Sequence, residues 1–172
     1  MNIQVNSLTN ANVYIDGVSL LGRAEEVEIP QPRHRMIDYK GLGMAGTTEL
    51  WGGVDKLEAK IRWASFDAET LAMAASPFQT HSFQVRGSLE QYTSQGRSAE
   101  LPVVYLMSGV FKDAGAASFK HQSMVETHSA ISVYHCELYV AGTQIYLYDV
   151  FANLYVVGGV DELSAFRTDP GG

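Results

Sequence analysis

At 172 residues, with 46% hydrophobic and 18% charged side chains and a formal net charge of −7, the chain is long and apolar enough for one packed domain. The acidic balance excludes a protein that grips nucleic acid through its phosphates, which takes clustered Lys and Arg. One cysteine, Cys136, excludes an internal disulfide framework.

No apolar run reaches the roughly 18 residues of a spanning helix, and MNIQVNSLTN has neither the basic region nor the apolar core of a signal peptide. The expectation is a chain without a membrane anchor that folds in a reducing cytoplasm. Residues 1–11 are polar, with Ile3, Val5 and Leu8 as anchors, and read as an N-terminal arm. In Val13–Leu20 an Asp16-Gly17 pair divides two apolar pieces, the signature of a tight hairpin. Glu26–Ile29 alternates as a strand and stops at Pro30-Gln31-Pro32, and Arg33–Lys40 reads as the strand returning from it.

Residues 41–54 then read as a glycine-rich loop. The stretch YKGLGMAGTTELWGGVD holds Gly41, Gly43, Gly46, Gly52 and Gly53, too many for a stable helix. Leu42, Met44, Leu50 and Trp51 are costly to leave in water, so this segment is expected to bury them against its own body or another chain.

Lys56–Ala64 has the cleanest alternation: Leu57, Ala59, Ile61 and Trp63 on one face, Glu58, Lys60 and Arg62 on the other. Asp67–Ser76 is the predicted helix, capped by Asp67, stapled by Phe66 and Leu71 and stopped by Pro77. Phe83, Val85 and Leu89 alternate with Gln84, Arg86 and Glu90, and Thr93–Gly96 turns the chain. Leu101–Phe111 is apolar on both faces and reads as a strand covered twice. Asp113–Phe119 is a small-residue loop, and Ser129–Val140 with Gln144–Val157 reads as a long hairpin about Ala141-Gly142. Residues 158–172 are a C-terminal tail with Leu163 and Phe166 as anchors. The prediction is mainly β: an antiparallel β-sandwich or barrel of about eight strands and one short helix, a single domain over 1–172.

Chemistry finds little support. Gly41-x-Gly43-x-x-Gly46 matches a dinucleotide fingerprint, but no helix follows to receive a pyrophosphate, so no cofactor is expected. His34, His81, His121 and His128 lack ligand spacing, and His135 and Cys136 point to opposite faces of a strand. No catalytic residue and no metal ligand are assigned. Tyr134, Tyr139, Tyr146, Tyr148 and Tyr155 read as cross-strand packing, with a sugar-stacking surface as the sharper alternative.

Several motifs, in order, resemble the major tail tube protein family of contractile-tailed phages and R-type pyocins. They are Asn12-x-x-x-Asp16-Gly17, Gly22, Ile29-Pro30 and Tyr39-Lys40-Gly41-x-Gly43-Met44-x-Gly46, then Arg86-Gly87-Ser88 and Gly159-Val160-Asp161-x-Leu163 with Arg167 and a terminal glycine. The chain departs from the family pattern at Gln31-Pro32, at Ala141-Gly142 in place of Asp-Gly, and at Gly158 in place of Asn. The resemblance implies a non-enzymatic subunit of a hexameric ring. Rings stack into a tube whose inner wall is a continuous β-barrel. Its partners are further copies of itself, the tail sheath, the tape-measure protein, and the baseplate and tail terminator proteins. In a phage, DNA passes through without specific binding. The implied location is a virion tail or an extracellular contractile particle made in a bacterial cytoplasm.

On this reading Leu42, Met44, Leu50 and Trp51 are inter-ring contacts, mobile in the free chain and ordered on stacking. Leu8, Leu163 and Phe166 are arm and tail contacts. The polar faces carrying Glu58, Lys60, Arg62, Gln84, Arg86 and Glu90 are the lumen candidates. The alternatives are a stand-alone β-sandwich that binds carbohydrate or peptide, and a type VI secretion tube-like protein.

Overall fold

The computed structural model describes residues 3–117, 121 and 127–169. Strand β1 (Val5–Ile15) turns at Asp16-Gly17 into β2 (Val18–Ser19). Both turn residues have positive φ, +49° and +83°, as the mirror-image turn requires. Asp16 also fastens the turn: its carboxylate accepts from the Ser82 N–H at 2.8 Å and lies 2.7 Å from Nδ1 of the buried His81.

β3 (Ala24–Glu28) pairs with β6 (Leu57–Trp63), while β4 (His34–Tyr39) and β5 (Thr48–Val54) form a separate two-stranded ribbon. Helix α1 (Ala68–Ala74) precedes the long hairpin of β7 (His81–Thr93) and β8 (Gly96–Phe111). β9 (Ala116–Ala117) and β10 (Thr127–Val140) follow, then β11 (Thr143–Asp149), β12 (Leu154–Val157), β13 (Val160–Asp161) and helix α2 (Ser164–Thr168).

The main sheet is antiparallel throughout and hinges on β10. Along one side β10 meets β8. Along the other, its first half (127–133) meets β6 and its second half (135–140) meets β11. A register shift between Val133 and His135 separates the halves, and such an irregularity bends a strand from one layer into the next. The short layer β3-β6-β10 and the long layer β1-β7-β8-β10-β11-β12 therefore enclose one core. That core contains Val13, Ile15, Ile61, Trp63, Phe83, Tyr105, Phe111 and Ile131. Each such side chain contributes roughly 1.5–3 kcal/mol by leaving water. Phe83 meets Phe111 edge to face at 5.4 Å, and the two buried polar tips find partners: Tyr105 donates to the Pro30 carbonyl at 2.8 Å and Trp63 to Ser129 at 3.0 Å.

The sheet departs from the sequence expectation in several places. Residues 5–11 are not a free arm; they pair with β7 from Tyr92 to Gly87. A bulge between Thr9 and Ala11, with Asn10 at φ +51°, explains the miss. It puts Leu8 opposite Leu89 and Val13 opposite Val85, five residues apart on one face, which breaks the period of two. Arg33–Lys40 does not return along β3; its strand pairs with residues 48–54, so the glycine loop shrinks to 40–47. The expected hairpin arm 144–157 splits at 150–153, and the tail gains a two-residue strand and α2. Among the described residues the strands number thirteen segments, several of only two residues, and α2 joins α1 as a second short helix.

Leu101–Phe111 is buried on one face only; Val104, Leu106 and Val110 on the other are half-buried. Asp67 stands at the start of α1 without a side-chain bond to the helix backbone. It takes the Thr70 hydroxyl and Arg23 instead. The expected loop 113–119 contains β9, and its residues 118–119 lie outside the described ones.

Gly109 sits on the core face of β8 beside the bend in β10, where a Cβ would stand 2.2 Å from the Ser132 carbonyl oxygen. Gly109→Ala is expected to cost about 3 kcal/mol or more, because backbone must move to accept it. Denaturant unfolding measures this; a loss under about 1 kcal/mol would contradict the close approach.

Candidate assembly surface

The ribbon stands on the Arg33 carbonyl, which accepts from the Asp55 N–H at 2.9 Å. Directly opposed residues share a face, so Met36 with Trp51 and Asp38 with Glu49 form one face, and Ile37 with Leu50 and Tyr39 with Thr48 the other. The two glycines of β5 have different reasons: a Cβ on Gly52 would meet the Ile37 side chain at 2.4 Å, and Gly53 takes φ +118°, which L side chains rarely adopt. A lone two-stranded ribbon is marginal in water. This one leans on the chain's own end. Trp51 meets Phe166 of α2 edge to face at 6.4 Å and donates to His34 Nδ1 at 3.3 Å, while His34 packs on Tyr155 at 5.9 Å.

These contacts leave a groove of about 680 Å³ lined by Met36, Trp51, Tyr155, Val157, Leu163 and Phe166. The cover is partial, since Trp51 remains 45% exposed and Leu50 51%. At the tip Leu42 is fully exposed and Met44 47% exposed. The four ribbon residues singled out from sequence therefore divide: Trp51 reaches the groove, Leu50 lies on the far face, and Leu42 and Met44 belong to the turn.

The C-terminal motif resolves into a clamp. Asp161 accepts from the Leu163 N–H at 3.1 Å and pairs with Arg167, which also donates to the Asn153 carbonyl at 2.8 Å. This holds α2, and so Leu163 and Phe166, against the groove. Leu8 is elsewhere, 61% exposed on β1, whose residues 5–11 have β7 on one side and no strand on the other among the described residues.

The six lumen candidates fall on two layers. Glu58, Lys60 and Arg62 project outward from β6, where Lys60 reaches Glu28 at 3.8 Å, Arg62 reaches Glu25 at 2.7 Å and Glu58 pairs with Lys112. Gln84, Arg86 and Glu90 project outward from β7; Arg86 lies 5.4 Å over the Tyr14 ring and Glu90 meets Arg97 at 3.0 Å. A wall built from one layer uses three of the six.

A cluster missed from sequence lies on the outward face of β10 and β11. His135 Nε2 is 2.7 Å from Glu137 and its Nδ1 is 3.0 Å from Asp149. Both nitrogens face carboxylates, an arrangement that favours the imidazolium, in which both ring N–H groups donate. Burial opposes that charge, but the two hydrogen bonds outweigh it and raise the His135 pKa above its ordinary 6.5. Burial also opposes the charge on the carboxylates. Tyr139 and His135 nonetheless hold Glu137 below its ordinary value, and the Ala152 N–H and His135 hold Asp149 below its own. The signal was present as His135-x-Glu137, which one strand face must share. Cys136 turns into the core, as alternation requires. Four of the five late tyrosines pack on aromatic neighbours: Tyr146 on Tyr105 at 6.4 Å, Tyr148 on Tyr155 at 5.4 Å, and Tyr134 on Phe151 at 5.4 Å; Tyr139 instead donates to Glu137. Among the described residues no group of three His, Cys, Asp or Glu is placed to hold a metal, and no helix is long and apolar enough to cross a membrane.

Comparison with known proteins adds to this geometry. The model of the family Phage tail tube protein FII matches residues 5–171. The tail tube protein of Escherichia phage P2 is 24% identical over 164 residues, spanning 93% of this chain and 94% of that protein. Among solved structures, a chain of the sheath–tube complex of PVC, an extracellular contractile injection system, in its extended state gives a TM-score of 0.55 at 14% identity. It covers 75% of this chain and 87% of that one. A chain of the PVC sheath/tube terminator gives 0.53 at 12% identity, covering 75% and 92%. At such identities the structural likeness speaks to the fold.

The His135 cluster sets a pH dependence. A raised histidine pKa gives stability that is complete below 6.5 and lost as pH rises through the folded value; the depressed carboxylates give stability that is lost on acidification. The cluster therefore contributes most in mildly acidic solution. Wild type should lose about 1 kcal/mol between mildly acidic and alkaline pH that His135→Gln does not lose, read by urea unfolding. Identical pH profiles for the two proteins would contradict the assignment.

Proposed function

We infer the role of this chain from its family: it belongs to the phage tail tube protein FII family, which matches residues 5–171. Its function is that of a structural subunit of the inner tube of a contractile tail or tail-like particle. The full-length family match carries this reading, and the partly covered ribbon supplies a physical reason for it.

The finer picture is a hexameric ring, stacked on others into a hollow conduit with no catalytic duty. The free border of β1 and the outer borders of the sheet are where neighbouring copies continue the ladder, which removes an aggregation hazard of the lone chain. The ribbon, with Leu42, Met44, Leu50 and Trp51, reaches the next ring, and Leu8, Leu163 and Phe166 contact neighbouring copies. A sheath surrounds the tube, in line with the sheath–tube complex in which a structural neighbour occurs. A tape-measure protein occupies the bore during assembly, and baseplate and terminator proteins close the ends. Synthesis takes place in a host cytoplasm. The charge of −7 per copy suits a conduit that DNA or protein passes without being held.

Negative-stain microscopy of the purified chain tests the reading: rings or tubes support it, whereas uniform monomers at every concentration and on seeding would overturn it. Trp51→Ala then tests the ribbon. Because Trp51 is half-exposed, folding stability should fall by only about 1 kcal/mol. Loss of an aromatic anchor at an interface, worth about 2 kcal/mol, should raise the critical concentration for tube growth about thirtyfold. Normal growth by the variant would remove Trp51 from the contact.

A further inference from the structure

The ribbon is two-faced in charge. Asp38 stands directly opposite Glu49, beside the Met36–Trp51 pair on the groove face. Opposed side chains on a strand pair lie about 5 Å apart at Cβ, where like charges repel. Both carboxylates are exposed, and neither has an ion-pair partner among the described residues.

The other face has the complementary property. Alternation along β4 puts Arg35 with Ile37 and Tyr39, and Arg33 immediately precedes the strand; Lys40, just past its end, falls on the Asp38 side and leaves that face net acidic. These two guanidinium groups are also exposed and have no ion-pair partner among the described residues. Elsewhere the same chain pairs its charges closely, as at Arg62–Glu25 and Arg97–Glu100.

The two faces of one ribbon point apart and cannot neutralise each other. A two-fold dimer that brought one face onto its own copy would set like charge on like charge. A head-to-tail contact brings the acidic face of one copy to the basic face of the next, and such a contact repeats into a ring or a filament.

We propose that the ribbon is a charge-coded docking surface for a second copy of this chain, in which Asp38 and Glu49 of one copy receive Arg33 and Arg35 of the next. The apolar halves go with them: Met36 and Trp51 of the first copy meet Ile37, Tyr39 and Leu50 of the second. The inference rests on the tube reading, because it takes the occupant to be another subunit.

Charge exchange tests it. The double variant Asp38→Lys with Glu49→Lys makes both faces basic, and Arg33→Glu with Arg35→Glu makes both acidic. Each should fold but raise the critical concentration for tube growth about tenfold or more, since like charges then meet. The fourfold variant that combines them restores opposite faces and should recover growth. The isosteric pair Asp38→Asn with Glu49→Gln keeps the ribbon's shape and should flatten the salt dependence that wild-type growth shows. The proposal is overturned if either double variant grows like wild type, if the fourfold variant fails to recover, or if the amide variant keeps the wild-type salt dependence. Wild-type protein that never forms tubes removes the tube reading and this contact together; wild-type tubes with indifferent variants remove the contact alone.

Discussion

The structure depends on one strand serving two layers. β10 gives its first half to the short layer and its second half to the long one, and the bend between them is possible only because Gly109 lets β8 come close. Both layers then close on a single set of side chains, from Ile61 and Trp63 on one side to Phe83 and Tyr105 on the other. β6 is taken by β10 on one side and β3 on the other, and the segment between β3 and β6 pairs only with itself. It leaves the body as a ribbon.

That exclusion turns a fold into a building block. A two-stranded ribbon with apolar groups on both faces and glycines in one strand gains too little from its own pairing to stand alone. Here it borrows Phe166 and Tyr155 from the C-terminal segment, which the Asp161–Arg167 clamp holds in place. The loan is incomplete: Leu42, Leu50 and much of Trp51 stay in water. Such a surface, together with a length of β1 that has no second strand beside it among the described residues, is what the proposed contacts between copies would cover. The family to which it belongs is that of phage tail tube proteins, and the proposed contacts between copies fall on this surface.

Much of this was legible in the sequence, and the failures have causes. Strict alternation gave β6, and two successive positive-φ positions gave the first turn, because each signal is local. The core face of β1 was lost because the Asn10 bulge shifts the period midway. β5 read as loop because of its glycines, and the space at Gly52 is filled by Ile37, a residue on the other strand. The His135 cluster needed Asp149, fourteen residues away, and so appeared only when β10 and β11 were paired. Of the candidate contacts, Trp51 and Phe166 proved to touch each other, a pairing between positions 51 and 166 that no local pattern encodes.

The central claim is that copies of this chain cover one another's ribbons, and amide hydrogen exchange over residues 42–51 tests it most directly. The account predicts rapid exchange in the lone chain and strong protection in assembled tubes, because a marginal ribbon opens freely until a neighbour closes over it. Equal exchange rates for these residues in the lone chain and in the tube would contradict it.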